Sequence, residues 1–174
     1  MRTHSRAFTL IELVMVLLIT GILAVVAVAT ISNLAETRVD LAAAKLRSDI
    51  RYAQVLAVTT QQRAGIFFDV GANTYTVSLE GPVNVWTPVT DPQSRQPLSY
   101  DLDLAPYSGL TLADVIFVSA GRALVFDRWG DPYGYDTATQ TATALASFGQ
   151  VSVQSGAVQR TITVQPGGGY VSSS

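Results

Sequence analysis

Cysteine is absent from this chain of 174 residues, which excludes disulfide staples and thiolate metal sites. Histidine occurs once, at His4. The body of the chain therefore holds no Ser-His or Cys-His nucleophile pair and no imidazole zinc site. No glycine-rich loop runs into Lys-Ser or Lys-Thr, so a phosphate cradle has no support. Charged residues make up 14% and the net charge is −2. Without a basic stripe to neutralise phosphates, no nucleic-acid partner is expected. No residues support a hydrolase, and the expectation is a protein that is not an enzyme.

The scarcity of charge is concentrated at one end. From Phe8 to Ile31 the only ionisable side chain is Glu12. That run is long enough to cross a bilayer core as a helix, which takes about 20 residues. An acid at its start is the anomaly, because at the centre of a membrane helix one costs roughly 2.5–3.5 kcal/mol and less near the ends. Such a residue needs a partner. Arg6, His4, a lipid head group or a cation on another molecule are the choices. Cleavage of the Ala7–Phe8 bond would create such a cation, an α-ammonium on Phe8 one helical turn from Glu12, or level with Glu12 of a neighbour displaced along the axis. A charge pair in apolar surroundings is favourable only when both charges are matched, so the pair would set register between stacked subunits.

The order Arg6-Ala7-Phe8-Thr9-Leu10-Ile11-Glu12 followed by a long apolar helix resembles the N-terminus of type IV prepilins and type II secretion pseudopilins. The resemblance implies removal of residues 1–7 by a prepilin peptidase, N-methylation of Phe8, and pairing of Glu12 with the Phe8 amine of an adjacent subunit. It also implies an inner-membrane assembly platform and other pilin or pseudopilin subunits as partners. The chain departs from the family's pattern at Ala7, where Gly is usual, and at Ala29, where many major pilins carry a kinking Pro. Two other readings compete. Arg2, Arg6 and Ala27-Val28-Ala29 outline a secretory signal peptide cut after Ala29, which would release a secreted β-domain binding protein. However, the apolar run exceeds the usual length and Glu12 is unwelcome in it. An ordinary single-span anchor explains neither Glu12 nor the Phe-Thr-Leu-Ile order. Arg2 and Arg6 precede the span, so the positive-inside rule keeps the N-terminus cytoplasmic and exports the rest to the periplasm.

Glycine and proline are both missing from Ser32 to Gln62, and the helix is expected to continue to about Gln62. Ala42, Leu46, Ile50, Ala53 and Ala57 form one stripe at helical spacing. Arg38, Lys45, Asp49 and Arg51 are placed to the sides or opposite. The small alanines suit a sheet wrapped closely on this face. From Gly65 the period changes to that of strands. Ile66–Val70 and Tyr75–Leu79 read as a hairpin. Val83–Trp86 and Leu98–Leu102 read as short edge strands in a long proline-bearing loop. Leu110–Val118, Ala123–Phe126, Thr141–Leu145, Val151–Gln154 and Arg160–Gln165 follow as strands. Asp127–Asp136 reads as turn-rich, and Gly167-Gly168-Gly169 and Ser172-Ser173-Ser174 read as frayed. The expected organisation is a leader at 1–7, a transmembrane or filament-core helix at 8–31, an amphipathic continuation at 32–62 and a periplasmic β-rich domain at 63–174. The fold class is α+β, a long N-terminal helix packed on an antiparallel sheet domain, as in the pilin fold.

The order of these pieces, ending on Arg160-Thr161-Ile162-Thr163-Val164 and glycine, is similar to H-type minor pseudopilins and their fimbrial minor-pilin relatives. A competing likeness lies in Asp127-Arg128-Trp129-Gly130-Asp131-Pro132-Tyr133, similar to a segment of major pseudopilins in which a following loop binds calcium. The sequence thus offers a structural minor subunit of a type II secretion pseudopilus, with a type IV pilus minor pilin as the alternative. Asp127, Asp131 and Asp136 are the calcium candidates; the plainer reading makes each a turn-former bonded to its own backbone. Asp101 and Asp103 share one face if that stretch is extended. No other cofactor is expected. Trp86, Trp129, Tyr133 and Tyr135 read either as an exposed aromatic surface or, more simply, as core packing.

Overall fold

The computed structural model describes residues 9–91, 94–117 and 122–174; within them the side chains of 25–33 lie outside the description. The chain divides after Glu36 into two units. One helix, α1 (Leu10–Thr60), contributes to both. Over residues 10–24 its side chains are exposed and apolar apart from Glu12 and Thr20. Among the described residues no helix is long and apolar enough to cross a membrane.

In the second unit the same helix is one-sided. Ala42, Leu46, Ile50, Ala53 and Ala57 are all buried, together with Val39 and Ala43. The expected stripe is therefore the face that packs. It meets Ile66, Phe68, Val77, Leu124 and Phe126 of one sheet and Val151, Val153, Ile162 and Val164 of another in a single core. Alanine at four of these helical positions leaves room for the sheets to approach closely.

Among the described residues eleven strands follow: β1 (Ala64–Asp69), β2 (Thr74–Glu80), β3 (Trp86–Pro88), β4 (Ser99–Asp101), β5 (Thr111–Ile116), β6 (Ala123–Phe126), β7 (Pro132–Asp136), β8 (Thr141–Ala144), β9 (Gly149–Ser155), β10 (Val158–Val164) and β11 (Val171–Ser173). The larger sheet has the order β3-β2-β1-β6-β7-β8, with β4 also on β2; the smaller has the order β11-β10-β9-β5. Every pairing is antiparallel. The α+β expectation holds, and the antiparallel β domain forms two sheets.

Three local expectations are corrected. Asp127–Asp136 is turn only in its first half, since Pro132–Asp136 is strand β7. Proline stands at the first residue of that strand, where its missing N–H is tolerated. The stretch expected to fray closes a hairpin instead: Gly167, Gly168 and Gly169 all take positive φ (69°, 119° and 64°), a conformation glycine adopts without steric cost, and return the chain as β11 onto β10. The edge strand expected at Val83–Trp86 forms at Trp86–Pro88, because Pro82 to Val85 is spent on a turn closed by Val85 N–H to the Pro82 carbonyl at 2.8 Å.

Candidate functional site

Thr9 caps α1. Its Oγ1 accepts from the Glu12 N–H at 3.3 Å, and its carbonyl accepts from the N–H groups of Glu12 (3.1 Å) and Leu13 (3.2 Å). Thr9 and Glu12 thus occupy the two key positions of a capping box. The Glu12 carboxylate lies in the first turn, where the free N–H groups of the helix favour negative charge. Around it, Leu10, Ile11, Leu13, Met15, Leu17 and Leu23 are all more than half exposed. A contiguous apolar surface of this kind marks an interaction site. A Cβ placed on Gly21 would meet nothing within 4 Å, so that face is unobstructed. Ala7 and Phe8, the expected cleavage and methylation positions, lie outside the described residues.

On the second unit the main polar feature is Asp49. It is buried, at 4% exposure, rather than on the outer side of α1 as its charge suggested. Tyr75 of β2 donates its phenolic hydrogen to Asp49 Oδ2 at 2.9 Å, and Lys45 forms an ion pair with Oδ1 one turn earlier. The Lys45 ammonium also stands 4.2 Å from the centre of the Tyr100 ring. Burial raises the Asp49 carboxyl above the usual range, against the opposing pull of Lys45 and Tyr75. Burial and the nearby Asp49 charge keep the Tyr75 phenol protonated far above its ordinary range. This cluster fixes α1 to β2 and β4.

A second cluster covers the opposite face of the larger sheet. Phe67, Trp86 and Tyr135 meet edge to face, with ring centres 4.9, 5.9 and 5.3 Å apart. The Arg63 guanidinium lies over Trp86 and Tyr135 at 5.4 and 5.7 Å, with its Nε 3.0 Å from Glu80 Oε2. The core-packing expectation therefore fits Trp86 and Tyr135. Trp129 differs: it is 69% exposed and stacks with Arg128, whose guanidinium stands 4.3 Å from the ring centre. Tyr133 is half-buried. An open cleft of about 370 Å³ between Arg63, Glu80, Asp127 and Trp129 adjoins this corner.

The three aspartates singled out for calcium are not brought together. Asp127 Oδ1 accepts from the N–H groups of Trp129 (2.9 Å) and Asp131 (3.0 Å), organising its own turn. Asp136 Oδ1 accepts from Ala138 N–H at 2.8 Å, and that hydrogen bond holds its carboxyl below the usual range. Asp131 and Asp136 stand near opposite ends of β7, roughly 15 Å apart at about 3.3 Å per residue. Among the described residues no group of three acidic or histidine side chains is placed to hold a metal ion. Asp103 accepts from Asn73 Nδ2 at 2.7 Å, and Asp101 accepts from the Asp103 N–H at 2.8 Å, so this pair is also absorbed locally.

One residue binds three parts of the unit. Gln54 Nε2 donates to the carbonyls of Gly130 and Gly168, each at 2.9 Å. It thereby joins α1 to the β6–β7 turn and to the β10–β11 turn. The sequence assigns no role to Gln54 or Arg63 and puts Asp49 on the wrong face. Asp49 carried a usable signal, since it lies three residues beyond Leu46 and four before Ala53, on the buried stripe. Gln54 and Arg63 carried none.

The chain was compared with known proteins. The family described as "Prokaryotic N-terminal methylation motif" matches residues 2–28, and the family described as "Type II transport protein GspH" matches residues 42–168. No curated protein matches. Two solved structures of the minor pseudopilin EpsH from the type II secretion system of Vibrio cholerae are similar in fold. One has 15% identity and a TM-score of 0.57, covering 79% of this chain and 96% of that one. The other has 12% identity and a TM-score of 0.56, covering 80% and 97%. The major-pseudopilin likeness of Asp127–Tyr135 thus sits inside a chain whose family match is to the H type.

Proposed function

The chain belongs to the type II transport protein GspH family, and from that membership we propose that it is a structural minor subunit of a secretion pseudopilus, held by its N-terminal helix. The observation that carries the reading is the pairing of two matches in one chain, a methylation motif at 2–28 and a GspH body at 42–168. The finer steps are those that the N-terminal methylation motif implies. Prepilin peptidase removes residues 1–7 and methylates Phe8. The precursor waits in the inner membrane with its N-terminus cytoplasmic and its β domain periplasmic. The assembly platform then transfers the helix from lipid into a bundle of like helices. In that bundle the Phe8 ammonium of one subunit lies level with Glu12 of the next. A matched pair in apolar surroundings is favourable and a mismatched one is strongly unfavourable, so the pair selects one stagger.

Intact mass of the mature protein tests the processing. An N-terminus at methyl-Phe8 is expected, whereas one at Thr30 would mean signal-peptide cleavage and overturn the reading. Glu12→Val is expected to leave cleavage possible while impairing incorporation into filaments. Normal incorporation of that variant would remove the register argument.

A further inference from the structure

We propose that the free edge of β8 is a strand-pairing surface that takes an extended, uncharged segment of a different filament subunit; the proposal rests on the pseudopilin reading above. Among the described residues β8 is the last strand of the larger sheet and is bonded on one side only, to β7. Backbone groups in an antiparallel pair alternate between the two sides of a strand. Leu145 N–H donates to the Pro132 carbonyl at 3.5 Å, so residues 141, 143 and 145 face β7. Ala142 and Ala144 then direct their N–H and C=O groups away from the sheet. The next ladder agrees: Asp127 N–H donates to the Asp131 carbonyl at 3.1 Å, which turns Tyr133 and Tyr135 toward β6 and leaves Gly134 and Asp136 for β8.

Sheet edges in soluble proteins are blunted by charge, proline, bulges or a covering segment. Three of the other edges show such devices. β5 is bulged between Leu112 and Val115 and carries Asp114, β3 ends on Pro88, and the Val171 carbonyl of β11 is taken by Arg51 at 3.2 Å. Among the described residues β8 shows none of these, and its shortness, at four residues, is the one feature that limits it. All four of its residues are exposed, and no ionisable side chain occurs between Asp136 and Arg160. The exposed Phe148 follows four residues beyond its end. An edge without charge has nothing to pair with a charged strand, so an uncharged segment fits it.

A second copy does not fit in antiparallel pairing. Two β8 edges pair antiparallel only about an axis perpendicular to the sheet, which reverses the direction of the α1 residues packed on that sheet. Subunits that enter one filament from one membrane run the same way, so the partner presents a different strand. Two outward residues supply four backbone hydrogen bonds. These orient a neighbour already held through its helix and do not capture a free peptide.

The test uses the full-length chain made together with the other subunits of its filament, with a benzophenone amino acid at Thr143. The expected result is a light-dependent adduct with another subunit that carries the methylation motif, identified by mass spectrometry. Ala142→Pro removes only an outward N–H, a change edge strands tolerate, and Ala144→Lys adds a charge to the same edge. Each is expected to reduce the adduct at least tenfold with an unchanged melting temperature. An undiminished adduct in both variants, or an adduct only with a second copy, overturns the proposal. No adduct from Thr143 while a benzophenone at Leu13 still yields one overturns the edge and leaves the pseudopilin reading standing. Loss at both positions overturns the two together.

Discussion

The Tyr75 phenol on β2 donates a hydrogen bond of 2.9 Å to the buried carboxylate of Asp49 on α1. A hydrogen bond to a charged group contributes about 1.5–3 kcal/mol. Tyr75→Phe removes that bond and keeps the ring, so a loss of this size is expected in urea unfolding. A loss below about 0.5 kcal/mol would show that Lys45 alone satisfies Asp49.

The same pair predicts a pH dependence. Burial raises the Asp49 carboxyl above its ordinary value of 3.8, so the folded chain holds that proton more tightly than the unfolded chain. The stability from this group is complete below 3.8 and declines as pH rises through the folded value. The stability of the wild type relative to Asp49→Asn is therefore expected to fall as pH rises above 3.8 and then level off. Lys45 adds an alkaline limb. Burial alone would lower its ammonium, but the interactions with Asp49 and Tyr100 prevail and raise it above 10.5, so its contribution persists to 10.5 and is lost above. Urea unfolding of both proteins across the pH range checks both slopes, and a difference that rises between pH 4 and 7 would contradict the first.

Gly65 of β1 leaves no room for a side chain against β6. A Cβ there would stand 2.6 Å from the Leu124 carbonyl oxygen and 2.7 Å from Val125 Cγ2. Backbone cannot yield as a side-chain tip can, so Gly65→Ala is expected to cost roughly 1–3 kcal/mol, as overpacking does. A melting temperature equal to wild type would show that β6 shifts freely.

The ion pair of Asp40 with Arg160, at 2.8 Å, offers a contrast, since Asp40 is 52% exposed. Exposed pairs contribute about 0–1 kcal/mol. Asp40→Asn is expected to lie within that range and to lose its effect in high salt, which a denaturation series with and without salt measures.

Much of this architecture was legible because its causes are local. The stripe Ala42–Ala57 declares the packed face of α1 by spacing alone, and the alternation in Tyr75–Leu79 declares its strand. Asp49 was misplaced because charge was weighed above position: the spacing put it on the buried face, but its partner Tyr75 is 26 residues away and invisible to local pattern. β7 was hidden for a related reason. Gly134 and Pro132 read as breakers in isolation, yet β6 and β8 supply the ladder that makes them strand. The dispersal of Asp127, Asp131 and Asp136 follows from that same strand, which holds the last apart from the first two. The Ala7–Glu12 reading depends on the order of residues in the chain.

The two hydrogens of the Gln54 amide reach turns in different parts of the β domain. Either hairpin can close by itself, but the amide is saturated only when both are closed against α1. Holding the amide against one turn also places its second hydrogen for the other, so the two hairpins should exchange their amide hydrogens as one cooperative unit. Gln54→Leu would uncouple them into two independent opening events without removing either sheet.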